Sequence, residues 1–428
     1  MKGKQTFFFI IISSPYFRKM TQGLFFSFEV VILYDRQSYC RMEQDMIIQN
    51  GSVFTEKNTF EPMDILTEGA FISALSPSLI ARPKEEVYDA SGCILIPGLV
   101  DLHFHGCIGH DLCDHGSETL RSIAAYELQH GITAICPATM TLPLEELALI
   151  LKSAKAYACE KPSCGVPGAD LLGVHLEGPF VSPERKGAQN PAYLKEPDPA
   201  FFYSLKAICP ELVKIMTLAP ELPGAMDLIR RASKDTLISL GHSAACYRQA
   251  TEAFQAGACH VTHLFNAMPP FGHRDTGIIG AAFDDPKVHA ELICDGIHVS
   301  APMIRAAFRL FSDDRLILIS DSMRATGMPD GDYSLGGQPV HVRGKLATLE
   351  NGTIAGSVTN LMDCLRYAVL EAGIPLESAV KAAAVNPARE LSLSHLHGQI
   401  KKGAFANLLV LTPDLQIKQI IFHGRLLP

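Results

Sequence analysis

The sequence predicts an α/β protein: a (β/α)8 barrel beside a small β-sandwich made from both ends of the chain. Three observations lead there. Eight short apolar runs alternate with helical periods through the middle of the chain. Residues suited to metal or proton chemistry end runs one, three, five, six and eight, namely His103 and His105, Glu177, His242, His263 and Asp321. A closed barrel delivers side chains from many strand ends to one face, whereas a doubly wound sheet serves one crevice from a few strands. Finally, the two ends share a texture of short β-branched strands and turns that lacks long helical periods.

Taken in order, residues 1–45 read as foreign to the rest. MKGKQTFFFIIISS has the basic start and apolar run of a leader, but it is short and no clean cleavage site follows. It is also too short to span a bilayer as a helix. We read residues 1–45 as a non-native extension before a working start at Met46, with a weak targeting segment as the alternative. Residues 46–97 carry IIQNG, FISALS and EVYDASGCILIPG, strands punctuated by Gly, Asn and Pro. They are expected to join residues 395–428, where LLVLTPDLQIKQIIFHG repeats the texture, in the small β-domain.

Residues 98–394 hold the expected barrel, long enough for the roughly 250 residues such a fold needs. Its strands are the runs VDLHFHG, GITAICPATM, DLLGVHLEG, VKIMTLAPE, TLISLGHS, ACHVTHLFNAM, HAELICDGIHV and RLILISDSM. LEELALILKSAKAYA, YRQATEAFQAG and PMIRAAFRLF are among the helices between them. After run eight, the Gly-rich stretch to Ser357 reads as a long loop with a hairpin.

The formal net charge of −8 and the absence of a long basic stretch argue against nucleic-acid binding through a broad basic face. Twelve cysteines without a CxxC pair argue against a structural zinc module and point to reduced thiols in a cytoplasmic protein.

His103 and His105 lie two apart on an extended run and so share a face. Imidazole and carboxylate ligands suit zinc, iron, manganese or cobalt. Glu177, His242 and His263 supply three ligands, which with one open position is the arrangement of a catalytic metal. Adding His103 and His105 provides for a second ion bridged by Glu177, hence one or two ions per subunit. Asp321 is placed to accept a proton from an activated water, although Asp-Ser also favours a helix cap. His175 is read as a support behind the ligands, and the remaining histidines as surface or supporting groups.

HLEGPF, GHSAA, THLFNAMPP, DGIHV and ISDSM, in this order, resemble the N-acetylglucosamine-6-phosphate deacetylases, a branch of the metal-dependent amidohydrolases. The resemblance covers Met46 to the C-terminus and implies the same barrel and sandwich. It implies that Glu177, His242 and His263 hold the principal metal, that His103 and His105 are the pair found in dinuclear members, and that Asp321 is the acid/base. It places Asn266, the backbone of Ala267, and Arg274 at the sugar phosphate, with Arg274 reaching the neighbouring subunit of a homodimer. His298 is implied as a substrate contact that polarises the carbonyl, with Asp295 beside it. Ala188 and Gln189 fall at the sugar, where some members carry His at the second position, and Ile354, Ala355 and Gly356 line the pocket. The activity implied is hydrolysis of the acetamide in amino-sugar catabolism. The galacto epimer of the substrate is one alternative, and a silent binding scaffold of the same fold is another. Glu177 argues against cyclic-amide hydrolases and deaminases, which commonly use a carboxylated lysine or a different ligand on strand three.

Overall fold

The computed structural model describes residues 45–81, 85–159 and 167–428. The expectation for residues 1–45 falls outside them except at Asp45.

Strands from both ends of the chain form one eight-stranded sheet. Its order is Arg425–Leu426, Ile417–Phe422, Leu408–Leu411, Ile94–Pro97, Met46–Phe54, Phe60–Glu68 and Phe71–Ser76, with Glu86–Asp89 also paired to Met46–Phe54. The strand Met46–Phe54 changes partner along its length. Its first half runs parallel to Glu86–Asp89 and its second to Ile94–Pro97, with a register shift between Ile48 and Gly51. Gly51 permits this because a Cβ there would stand 2.2 Å from Leu95 Cδ1. The sheet then folds back on itself: Phe71 bridges Phe405, and the Ile72 amide donates to the Ala404 carbonyl at 2.9 Å. Met46, Ile48, Val53, Ile65, Leu95, Leu408 and Val410 fill the space enclosed.

The middle of the chain supplies parallel strands, labelled here β1 Leu99–Asp101, β2 Ile132–Ile135, β3 Val174–Glu177, β4 Val213–Leu218, β5 Leu237–Leu240, β6 His260–Val261, β7 His289–Ile293 and β8 Leu316–Ile319. β3 to β8 pair consecutively in one sheet, and β1 pairs with β2 in another. Residues beyond the strand ends carry hydrogen bonds between the two sheets. The His175 amide donates to Pro137 O at 3.0 Å on one edge, and the Asp321 amide donates to His103 O at 3.0 Å on the other. Helices such as Ser117–Gln129, Tyr247–Ala256 and Ala301–Phe311 connect the strands. Their apolar residues and the outward side of the strands share one core, while Val100, Ala134, Ile215, Ile293, Ile317 and Ile319 form another with Leu391. Burial on both faces explains why these strands read as near-continuous apolar runs.

After β8 the structure departs from the expected hairpin. Gly331–Leu335, Gln338–Arg343 and Leu346–Thr348 form a three-stranded antiparallel sheet. Gly336 and Gly337 make its first turn with φ of 55° and 77°, the double positive φ of a type I′ hairpin turn. Leu335, Val340, Val342 and Ala347 bury one face against Met140, Ala188 and Met323. The third strand is three residues long, LAT, too short to show alternation in the sequence.

Candidate metal centre

The candidate ligands stand at or just past the carboxyl ends of their strands. Glu177 is the last residue of β3, and His103, His242, His263 and Asp321 each lie two residues beyond β1, β5, β6 and β8. His242, His263 and Asp321 have φ of 47°, 30° and 50°. Non-glycine residues avoid this left-handed region, and such strain concentrates where surrounding structure fixes a functional side chain. Gly178, at φ 84°, turns the chain immediately after Glu177.

All six side chains meet. Glu177 Oε1 lies 3.1 Å from His242 Nε2 and 3.2 Å from His263 Nε2, and the two nitrogens are 3.0 Å apart. His103 Nε2 is 3.2 Å from the same oxygen. His105 Nε2 is 3.6 Å from Glu177 Oε2 and 3.3 Å from Asp321 Oδ1. Every one of these residues is buried.

The hydrogen bonds behind the rings decide what this cluster can hold. His242 Nδ1 lies 3.0 Å from Arg185 O, and His105 Nδ1 lies 3.2 Å from Ala138 O. A carbonyl only accepts, so each Nδ1 carries hydrogen and a neutral ring presents a lone pair at Nε2. Lone pairs aimed at a carboxylate in a buried site repel unless a positive charge lies between them. Ligand atoms about 2.1 Å from one tetrahedral ion sit about 3.4 Å apart, a little more than the spacings of the Glu177, His242 and His263 triangle. The donor set and its spacing therefore fit a divalent metal. Burial opposes the charge of Glu177, but positive charge placed at His103 and His242 holds its carboxyl well below the usual carboxylate range. Burial also opposes the charge of Asp321, and His105 and His103 outweigh it, lowering that carboxyl too.

The other expected site residues fall in three places. His298 Nδ1 donates to Asp295 Oδ2 at 2.7 Å, and burial, which favours the neutral ring, is outweighed by Asp295 and Asp321, so its pKa is raised. Gln189 is buried, donating to Glu177 Oε2 at 2.6 Å and accepting from the Thr141 amide at 2.7 Å. Both ends of its amide are thus engaged, behind the carboxylate. Ala188 is buried beside it with its carbonyl bonded to Gln338. The Ala355 amide bonds to Ala347 O at 3.1 Å, while the Ser357 amide reaches Asp321 O at 2.7 Å, so the Ile354–Gly356 stretch lies beside Asp321. Asn266 is half-buried, its Nδ2 donating to His263 O and Leu264 O at 3.2 Å, and Ala267 O accepts from the Ser243 amide at 3.1 Å. Arg274 is exposed.

His175 is neutral: burial drives its pKa down to about 3, and its Nε2 pairs with Thr217 Oγ1 at 2.7 Å. Two sequence readings are corrected. His397 and His423 are neither surface groups nor supports of the ligands, because both are buried against Asp170 where the terminal sheet meets the parallel strands. Sequence reasoning also missed Glu291, a buried carboxylate 2.8 Å from His103 Nδ1. Its one signal was an acid inside the apolar run HAELI.

Comparison with known proteins follows the same lines. The Amidohydrolase family matches residues 94–427. The chain is 34% identical over 390 residues to N-acetylglucosamine-6-phosphate deacetylase of Bacillus subtilis, covering 90% of this chain and 98% of that protein. It is 32% identical over 381 residues to N-acetylgalactosamine-6-phosphate deacetylase of Escherichia coli O157:H7, covering 89% and 98%. The crystal structure of N-acetylglucosamine-6-phosphate deacetylase from Pasteurella multocida superposes with a TM-score of 0.84 at 28% identity, covering 90% of this chain and 99% of that one.

Proposed function

The chain belongs to the amidohydrolase family, and from that premise we propose that it hydrolyses the acetamide of N-acetyl-D-glucosamine 6-phosphate to D-glucosamine 6-phosphate and acetate. The observation that carries the proposal is the buried triangle of Glu177, His242 and His263 with Asp321 beside it. Glu177, His242 and His263 hold one divalent ion, zinc, iron, manganese or cobalt, and His103 and His105 contribute to a second. Such an ion supplies Lewis acidity and brings the pKa of water towards neutrality. Asp321 takes the proton of the attacking water and passes it to the departing amine. His298 is fixed by Asp295 through two bonds from its own ring and amide, and the carboxylates beside it favour the protonated ring, which donates from Nε2 to the acetamide oxygen as charge develops there.

Asn266 and the Ala267 backbone bind the sugar phosphate, and Arg274 grips it bidentately across the interface of a homodimer. The exposure of Arg274 supports a reach to a neighbour. Ala188, Ile354, Ala355 and Gly356 line the sugar pocket beside Gln189, whose own amide is spent on Glu177 and Thr141. We further propose that β1 to β8 close into a (β/α)8 barrel over residues 98–394, with a β-sandwich from 46–97 and 395–428. No helix of the described residues is long and apolar enough to cross a membrane. We propose a cytoplasmic site of action, which the free thiols of the described cysteines support.

The similarity to an N-acetylgalactosamine-6-phosphate deacetylase keeps the galacto epimer as the second reading. An assay of acetate release from the gluco and galacto 6-phosphates and from unphosphorylated N-acetylglucosamine, across added metals, separates them. The proposal expects the gluco 6-phosphate to give the highest kcat/KM. Preference for the galacto epimer would replace it, and no release from any of the three would refute it.

A further inference from the structure

Glu291 is fully buried in β7 and is not among the residues assigned above. Its Oε2 accepts from His103 Nδ1 at 2.8 Å and from the His263 amide at 3.1 Å. Its Oε1 lies 3.2 Å from His260 Nε2. His260 Nδ1 in turn meets Glu390 Oε1 at 3.0 Å, and Glu390 Oε2 meets His289 Nδ1 at 2.9 Å. The His289 side chain is 22% exposed. Rings and carboxylates thus alternate from the metal centre, at the carboxyl ends of the strands, to solvent at their amino ends, where His260 and His289 begin β6 and β7.

A buried carboxylate is costly unless its lone pairs are engaged. Glu291 is engaged on both oxygens, and His260, with a carboxylate at each ring nitrogen, acts as its cationic backing. A neutral ring whose Nδ1 donates to a carboxylate presents Nε2 as a lone pair, in a fixed orientation. For His103 that atom is buried, lacks a hydrogen-bond partner among the described residues, and lies 3.2 Å from Glu177 Oε1 and 3.8 Å from Asp321 Oδ1. We propose that Glu291 is a positioning residue that locks His103 as a ligand of the second ion, and that His260 and Glu390 hold Glu291 in place from behind. This rests on the metal-centre reading above. The rival is a third ion on His103, His175 and Glu291, whose ligand atoms also cluster. It is disfavoured because His175 already spends Nδ1 on Leu102 O at 3.3 Å and Nε2 on Thr217 Oγ1.

The test is metal binding. Full-length protein stripped with chelator is titrated with Zn²⁺ and analysed for bound metal, as wild type, Glu291→Gln and His260→Gln. Wild type is expected to bind two equivalents. Glu291→Gln should weaken one of them by about 10- to 100-fold and leave the other within about twofold. His260→Gln should weaken the same equivalent by a smaller factor, and carries the test if Glu291→Gln does not fold. A merely structural role would lower stability and leave the ratio of the two affinities unchanged, which would overturn the proposal. So would a wild type that binds one equivalent, or one that binds three and loses the third with Glu291. A wild type that binds none would instead refute the metal-centre reading.

Discussion

Asp321 illustrates how backbone and charge converge on one group. Its φ of 50° swings the carboxylate inward from the end of β8, and His105 Nε2 lies 3.3 Å from Oδ1. Asp321→Asn keeps the shape and removes the proton acceptor. We expect turnover to fall by about 10²- to 10⁴-fold with bound metal unchanged by elemental analysis. Retained turnover would remove Asp321 from the mechanism. At this scale the sequence was informative where a residue ended an apolar run, as with Glu177 in HLEGPF or Asp321 in ISDSM. It was silent on Glu291, whose partner His103 lies 188 residues away. A single acid within a strand carries no local signature, so its purpose exists only in the folded neighbourhood.

Strands and turns were more legible, for a physical reason. Parallel strands buried on both faces are mostly apolar, so LILI, and VKIMTL apart from Lys214 and Thr217, announce themselves. β6, only two residues long, lies inside the longer run ACHVTHLFNAM that reads as a strand. The turn after β3 offers a direct test of packing. Gly178 and Gly92 both have positive φ, but a Cβ on Gly178 would stand 2.2 Å from Thr141 Oγ1, while one on Gly92 meets nothing within 4 Å. Gly92→Ala should cost only the backbone strain, about 1 kcal/mol. Gly178→Ala should cost at least about 2 kcal/mol more and displace Glu177. Denaturant midpoints of the two variants compare them, and equal losses would show that Thr141 yields freely.

The whole molecule depends on the termini returning to each other and, in our proposal, on a second copy of the chain. If Arg274 serves the neighbour's site, Arg274→Ala and Asp321→Asn chains are each inactive alone. Mixed by reversible dissociation, they should recover on the order of a quarter of wild-type activity, because half the dimers then carry one intact site. No recovery despite confirmed mixed dimers would place Arg274 in its own subunit's site. The shared β-texture of the two ends foretold their common sheet. It did not foretell Asp170 at the junction, because a lone Asp and two distant histidines form no pattern along the chain.

That junction predicts how the protein responds to acid. Asp170 Oδ2 lies 2.8 Å from His423 Nε2 and 3.9 Å from His397 Nδ1. Burial drives the His397 pKa down to about 4, with the charge of Asp170 opposing and His423 adding to the effect. Unfolded, the ring titrates near its ordinary value of about 6.5. The unfolded chain therefore binds a proton at His397 that the folded one refuses, so stability falls as pH drops from about 6.5 to about 4, by up to about 3 kcal/mol from this group. Burial also opposes the charge of Asp170, but His423 outweighs it and lowers that carboxyl, so its contribution is lost only below about pH 4, outside the window. His175 adds a slope of the same sign within it, and subtracting the curve of a His397→Gln variant from that of wild type isolates His397. Urea midpoints measured from pH 7 to pH 4 should fall less steeply in the variant. Parallel curves, merely offset, would mean that His397 is protonated in the folded protein and that Asp170 compensates its burial.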